Sequence, residues 1–455
     1  MTSLSIVWFR QDLRLADQPA LAAAAAAGPL IGLYVLDDDT PAEFAIGAAQ
    51  RWWLHHSLAA LAAALEAKGG VLILRRGPSA QTVAAVACET GADTVHAVRH
   101  YEPWWRKAEA ALGGLLTLHD GDTLVPPEHV RTGAEQPFKV YSPFWRALTA
   151  HLPPRAPQPA PVRIGAPAIL PKSESLADWD LRPVRPDWTA GFAEEWTPGE
   201  AGAADRLVDF LSEAEAYPQR RDRPSEEGTS RLSAHLHFGE VSPTQLWHAL
   251  DMRSAAKFLK ELSWRDFSRS AILGQPELGT SNGRPGMNAL QWRTGTAADA
   301  DFRAWTRGLT GYPIVDAGMR QMWTSGWMHN RVRMLAATLL VKHLLIDWRR
   351  GAAWFWDTLV DADYGNNSLN WQWIAGTGSD SAPFARIMAP LAQSDKFDAA
   401  GYIRDWVPEL AYLSDDQIHD PHATGVAPAS YPAPLIGHRE ARARALAALA
   451  KARLA

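Results

Sequence analysis

The sequence predicts two architectures in one chain: an α/β unit with a parallel, Rossmann-like sheet over residues 1–150, and an all-α unit over residues 201–455. A proline-rich linker over residues 151–200 joins them. Three observations carry this reading. Short apolar runs of strand length alternate with helix-like stretches through the first hundred residues. Nine prolines fall in the 34 residues from Pro153 to Pro186. Beyond about Ala201 the apolar positions recur at helical spacing, and no clear strand run appears.

The strand-length runs are Leu4–Phe9, Leu30–Leu36, Val71–Leu74 and Thr94–Val98. Between them Pro19–Ala27, Arg51–Lys68 and Ser79–Glu89 read as helices. The resulting β-α-β-α-β-α-β order argues for a parallel sheet with helices on both faces. No G-x-G-x-x-G follows the first strand, so a Rossmann oxidoreductase loses most of its support. The proline-dense segment has the composition of an extended connector laid over a surface. After it come amphipathic stretches at Ala201–Ala216, Pro243–Met252, Ser254–Leu273, Ala298–Arg307, Val315–Ser325, His329–His343 and Ala352–Val360. The alanine- and arginine-rich tail from Arg439 reads as a last helix.

Composition narrows the function classes. With 47% hydrophobic and 21% charged residues the chain is globular, not disordered. Its single cysteine, Cys88, excludes a disulfide framework, a four-cysteine zinc site and a cysteine-ligated iron–sulfur cluster within one chain, and no metal site is expected. No leader pattern and no run of about 18 apolar residues is present, so the expected compartment is the cytoplasm and no membrane contact is expected. A net charge of −5 is no global signature of a nucleic-acid binder, so any such contact must come from a local basic patch. Tryptophan is in excess, 21 in 455 residues, which suits either aromatic ligands and electron transfer or a tryptophan-rich core.

Four constellations could carry chemistry. Tyr217 and Arg221 precede Gly228–Thr229–Ser230–Arg231–Leu232–Ser233, where a glycine, hydroxyls and an arginine cluster make a plausible cradle for phosphate oxygens. The same residues suit an ordinary N-cap beside a solvated loop. Glu261, Trp264 and Arg265 share one helical face, placing carboxylate, indole and guanidinium together, as for a planar carbonyl-bearing ligand or for a surface ion pair over a core indole. Asn330, Arg333 and Met334 share another face, and Asp361, Asp363 and Asn367 follow downstream. Asp361 could neutralise Arg333, leaving Asp363 and Asn367 to bond an amide-rich heterocycle; an ion-pair network between helices would use the same groups. Last come Trp371 and Trp373, with Trp348 and Trp292 upstream, whose alignment in space spacing alone does not establish.

In this order the motifs resemble the photolyase/cryptochrome family, and within it the photolyases of cyclobutane pyrimidine dimers. The resemblance runs from Val7–Asp17 through Glu227–Ser233, Glu261–Phe267, Thr310–Gln321, Gly326–Met334, Leu344–Gly351 and Asp361–Trp373 to Lys396–Asp398, nearly the whole chain. It implies an N-terminal α/β domain linked to an all-helical FAD-binding domain. It further implies a U-shaped FAD whose phosphates meet Thr229, Ser230, Leu232 and Ser233, with Tyr217, Arg221 and Arg231 nearby. Asn330, Arg333, Asp361, Asp363 and Asn367 would surround the rings, Asn367 facing the flavin N5. Trp371, Trp348 and Trp292 match a tryptophan chain that passes an electron inward to photoreduce the flavin.

The resemblance also implies the substrate. Glu261, Trp264, Met334 and Trp373 match residues lining the dimer pocket, with Arg265 and Asn330 beside them, and the reaction implied is electron transfer from excited reduced flavin that splits the dimer ring in UV-damaged DNA. Candidates for phosphate contact are Arg331, Arg349, Arg350 and Lys396. The protein is expected to be a monomer. Enzymes of (6-4) photoproducts carry a histidine pair where this chain has Asn330 and Met334, which argues against that lesion. A cryptochrome-type blue-light receptor is the other alternative, opposed by the presence of the dimer-pocket residues. A second, antenna chromophore is implied: methenyltetrahydrofolate, with Glu102 as its candidate contact, or deazaflavin or a second flavin. The segment Asn366–Asn370 is bulkier than the small-residue version in some dimer photolyases.

Overall fold

A computed structural model describes residues 4–453. Its N-terminal part is a five-stranded parallel sheet in the order β3-β2-β1-β4-β5, formed by β1 (Ser5–Phe9), β2 (Leu30–Leu36), β3 (Leu72–Arg76), β4 (Thr94–Val98) and β5 (Leu116–His119). Ile6 of β1 lies level with Ile31 of β2 and Val95 of β4. The crossovers are α1 (Pro19–Ala27), α2 (Ala48–Ala67), α3 (Ser79–Thr90) and α4 (Pro103–Leu112). Strand alternation sends Ile6 and Trp8 into one core and Val7 and Phe9 into another, so both faces are covered, as the unbroken apolar runs require. The sequence reading omits α4 and β5; β5 is a four-residue edge strand, three residues half-buried and Thr117 exposed, too short to announce itself.

Two boundaries differ from the sequence reading. Leu124, Val125, Val130, Tyr141, Phe144 and Leu148, assigned to the sheet unit over 1–150, share a core with Phe210, Trp247, Phe258 and Phe267 of the helical part. The segment through α5 (Tyr141–Leu148) therefore belongs by packing to the helices. The proline-rich stretch is also more than a surface strap: Ile164, Trp179 and Leu181 are buried in the core formed by α2 and the sheet. Isolated apolar residues among prolines serve here as anchors.

The helical part is built around the long helix Ala256–Gly274 and the run Thr296–Thr306, Pro313–Ser325, Asn330–Thr338, Trp348–Thr358 and Tyr364–Ala375, closed by His438–Ala452. Starts are fixed by side chains: Ser242 and Gln245 form a reciprocal capping box, and Asp347 and Asp363 cap the two helices that follow them. The stretch expected as one helix over His329–His343 is α-helical to Thr338 and then makes a π-helical turn over Leu339–His343, fully buried. Among the described residues no helix is long and apolar enough to cross a membrane.

Candidate functional site

The helical part encloses a cavity of about 670 Å³, within the usual range for small-molecule sites. Its walls come from the short helix Tyr217–Arg220 and its C-cap Arg221, the Thr229–Ser233 segment, the long helix and the helices starting at Asn330, Trp348 and Tyr364. Every residue named from the sequence for the cofactor lines it: Tyr217, Arg221, Thr229, Ser230, Arg231, Leu232, Ser233, Asn330, Arg333, Asp361, Asp363 and Asn367. The hydroxyl-rich turn is tightly seated. A Cβ on Gly228 would stand 2.6 Å from Arg220 Cβ, so this approach needs glycine, and Arg231 holds a left-handed backbone with φ of 49°. The Arg231 guanidinium lies 4.6 Å above the Trp327 ring and pairs with Glu195 at 2.8 Å.

Two aspartates line the same cavity. Asp361 Oδ2 accepts from Arg333 Nη2 at 2.8 Å, while its Oδ1 is buried without a hydrogen-bond partner among the described residues. A buried lone acceptor beside a cavity calls for a donor from a ligand. Asp363 is buried too; burial pushes its carboxyl up, but Arg269, His237, Arg265 and the Asn366 N–H together hold it below the usual carboxylate range. Asn367 donates from Nδ2 to the Ala352 carbonyl at 3.1 Å, which fixes the amide between neighbouring helices. Tyr217 is raised to about 12 by burial, so its phenol stays protonated. The donor and acceptor set fits an adenine- and isoalloxazine-bearing dinucleotide: hydroxyls and arginines for phosphates, carboxylates and amides for ring N–H and carbonyl groups.

The cavity also has aromatic and acidic lining residues. Glu261, Trp264, Met334 and Trp373 line it together, with Asn330. Glu261 Oε1 is held at 2.7 Å by Arg221 and at 2.8 Å by Lys257. Lys257 escaped the sequence reading although its i,i+4 spacing to Glu261 was visible. Tyr141 also lines the cavity, stacked on Trp264, and had no sequence signal because it arrives from a distant helix.

Trp371 forms part of the cavity wall, and Trp348 is fully buried in the same core, with half-buried Trp292 packed against it. The three indoles share one core and differ in exposure: Trp371 borders the cavity, Trp348 is wholly buried and Trp292 is partly exposed. Gly351 makes room for this: a Cβ there would stand 2.2 Å from Trp371 Cη2.

Two residues depart from expectation. Arg265, expected beside the substrate, does not line the cavity: its guanidinium bonds both the carbonyl and the carboxylate of Asp122. At one residue past Trp264 on a helix, it points about 100° away from it. Glu102, the antenna candidate, is 1% exposed and faces Arg269 at 3.5 Å, so its carboxylate belongs to the buried contact between the two parts and not to an open cleft. Of the phosphate candidates, Arg331 pairs with Asp222 at 2.8 Å, Arg349 with Asp347 and Arg350 with Asp299, while Lys396 lies 5.3 Å from the Phe397 ring.

Comparison with known proteins agrees with this layout. Residues 258–451 match the family of the FAD binding domain of DNA photolyase, and residues 5–162 match the DNA photolyase family. A deoxyribodipyrimidine photo-lyase of Agrobacterium fabrum is 46% identical over 475 residues, covering 99% of this chain and 98% of the relative. The crystal structure of a bacterial class III photolyase from Agrobacterium tumefaciens superposes with a TM-score of 0.94 at 45% identity, covering 100% of this chain and 98% of that one. An archaeal photolyase from Sulfolobus tokodaii, solved with two FAD molecules and discussed as carrying a novel light-harvesting cofactor, gives a TM-score of 0.83 at 27% identity, with 98% and 99% covered.

Proposed function

The chain belongs to the DNA photolyase family, and from that membership we infer a deoxyribodipyrimidine photo-lyase: a light-driven enzyme that splits cyclobutane pyrimidine dimers in UV-damaged DNA. The observation that carries the substrate assignment is the shared cavity, whose lining holds Glu261, Trp264, Met334 and Trp373 together with the Asp361–Asp363–Asn367 set. FAD bound there supplies photochemical one-electron donation, chemistry no side chain offers.

The protein's part is binding and orientation. Thr229, Ser230, Leu232 and Ser233, with Tyr217, Arg221 and Arg231, are suited to the diphosphate; Arg333, Asp361, Asp363, Asn330 and Asn367 to the rings. Enzymes of this family are among those that take the target bases out of the duplex, which requires an apolar pocket to receive them. Trp264 and Trp373 supply flat faces, Met334 adaptable packing, and Glu261 a carboxylate acceptor for a pyrimidine N–H. Arg221 and Lys257 keep that carboxylate in place. Trp371, Trp348 and Trp292 form the run of indoles proposed to carry electrons between surface and cavity.

A second chromophore accompanies FAD in this reading; Glu102, buried and facing Arg269, borders no open cleft. We place the protein in the cytoplasm as a monomer. The asparagines at Asn330 and the thioether at Met334, where (6-4) enzymes need histidines, oppose that alternative. The test is binding: a dimer-containing oligonucleotide should be held far more tightly than its undamaged counterpart, and Trp264→Ala should lose that preference. Equal affinity of the unaltered protein for both DNAs overturns the substrate assignment and favours the light-receptor alternative.

A further inference from the structure

We propose that Arg269 is a positioning residue for the cofactor cavity, holding the Asp363 carboxylate fixed and charged while anchoring it to Asp122 at the edge of the sheet domain. The inference rests on the reading of Asp363 as a cofactor contact.

Arg269 lies inside the long helix, is wholly buried, and does not line the cavity. A buried guanidinium is costly unless paired. Its contacts are carboxylates from three separate elements: Asp122 at 2.9 Å through Nε, Asp363 at 2.7 Å through Nη1, and Glu102 at 3.5 Å. Asp363, in turn, is held at one oxygen by a hydrogen bond and at the other by an ion pair without hydrogen-bond geometry. Oδ1 accepts from the Asn366 N–H at 2.8 Å and so starts the Tyr364–Ala375 helix; Oδ2 faces Arg269. That helix carries Asn367, Trp371 and Trp373, so the arginine that orients its cap also sets the register of three cavity residues.

Burial alone would neutralise Asp363. His237 stands 4.0 Å away, yet burial lowers it to about 4, so it is uncharged near neutrality. Arg265 lowers Asp363 less than Arg269 does and, among the described residues, makes no ion pair with it. The remaining neighbours are acidic: Asp361 two residues earlier, and Glu102, Asp122 and Asp266 beyond the arginines. Arg269 is therefore the near cation on which the charge of Asp363 depends.

The experiment follows FAD release from the holoprotein by recovery of flavin fluorescence, between about pH 5.5 and 9, with circular dichroism as the folding control. In the unaltered protein Asp363 lies below the carboxylate range, so release should be flat across this window. In Arg269→Gln, uncompensated burial lifts Asp363 into the window, and release should accelerate roughly tenfold toward the acid end. Adding Asp363→Asn should restore a flat profile. A flat profile in Arg269→Gln, or an acid rise that survives Asp363→Asn, overturns the proposal. Asp363→Asn alone separates the two readings: unchanged FAD release there overturns the cofactor-contact reading itself. If Arg269→Gln does not fold, Arg269→Lys carries the test, because it keeps the charge at a worse geometry. Its acid rise should begin at higher pH than in the unaltered protein and vanish with Asp363→Asn; an unmoved onset overturns the proposal.

Discussion

The Trp264 indole lies flat against the Tyr141 ring, with 3.6 Å between centroids and 8° between planes. The two residues come from opposite sides of the proline-rich segment. Tyr141 is itself fixed, donating from its hydroxyl to the Lys260 carbonyl at 2.8 Å and standing 2.8 Å from Ser263 Oγ. One face of the candidate base-stacking platform is thus backed by a ring that leaves it little freedom to turn, and the ordering cost of binding a base falls accordingly.

Trp264→Ala should weaken binding of dimer-containing DNA by about 1–3 kcal/mol, the worth of stacking one base, with FAD content unchanged. Tyr141→Phe keeps the stack and loses only the hydroxyl bonds, so it should cost about 1 kcal/mol of stability and little DNA affinity. Titration of both variants with labelled oligonucleotide and an absorbance measurement of bound flavin check this; loss of FAD in Trp264→Ala contradicts the assignment.

Gly351→Ala should displace the Trp371 ring, since the new methyl would stand 2.2 Å from Cη2 and 2.5 Å from Leu340 Cδ2. Overpacking of this kind costs about 1–3 kcal/mol. Light-driven reduction of oxidised flavin should slow, as it should more completely in Trp371→Phe, while repair by chemically reduced protein persists. Undiminished photoreduction in Trp371→Phe would move the electron path to other residues.

Arg265→Ala separates interdomain from substrate roles. Because Arg265 bonds Asp122, the substitution should lower thermal stability, by up to about 3–5 kcal/mol for a broken buried pair and less to the extent that Arg269 still faces the same carboxylate. Dimer affinity per folded molecule should be unchanged. A specific loss of DNA binding without loss of stability would return Arg265 to the pocket.

Asp266 predicts a pH dependence of stability. Burial raises its carboxyl to about 7, opposed by Arg265 and by the Leu124 and Val125 N–H groups, so the native state binds its proton more tightly than the unfolded chain. Such a group contributes stability below the ordinary carboxylate range, and that contribution is lost as pH rises through the folded value. Melting temperature should fall from about pH 4.5 to 7.5 and level off above, and Asp266→Asn should flatten that fall. An identical slope in both proteins contradicts the assignment.

How far the sequence could be read follows from what each feature depends on. Strands and helices set by local periodicity, such as Leu30–Leu36 and Pro19–Ala27, appear in the structure with the same bounds. The polar positions that line the cavity were legible through the resemblance of the ordered motifs to a known family; their residue types alone also suited N-caps and ion-pair networks. What depends on distant contacts was not legible. Whether Arg265 turns toward Trp264 or toward Asp122 is decided by a loop 143 residues away. Tyr141 joins the cavity only because α5 packs on the long helix. Glu102 sits in a segment with a suggestive pattern, but burial against Arg269 is a property of the assembled interface.

The most direct test of the account is blue-light-dependent loss of cyclobutane dimers from UV-irradiated oligothymidine, using the purified, reduced holoprotein with a dark control. Repair in the light alone is the predicted result. A flavin-loaded protein that binds the oligonucleotide and leaves its dimers intact under illumination would contradict it.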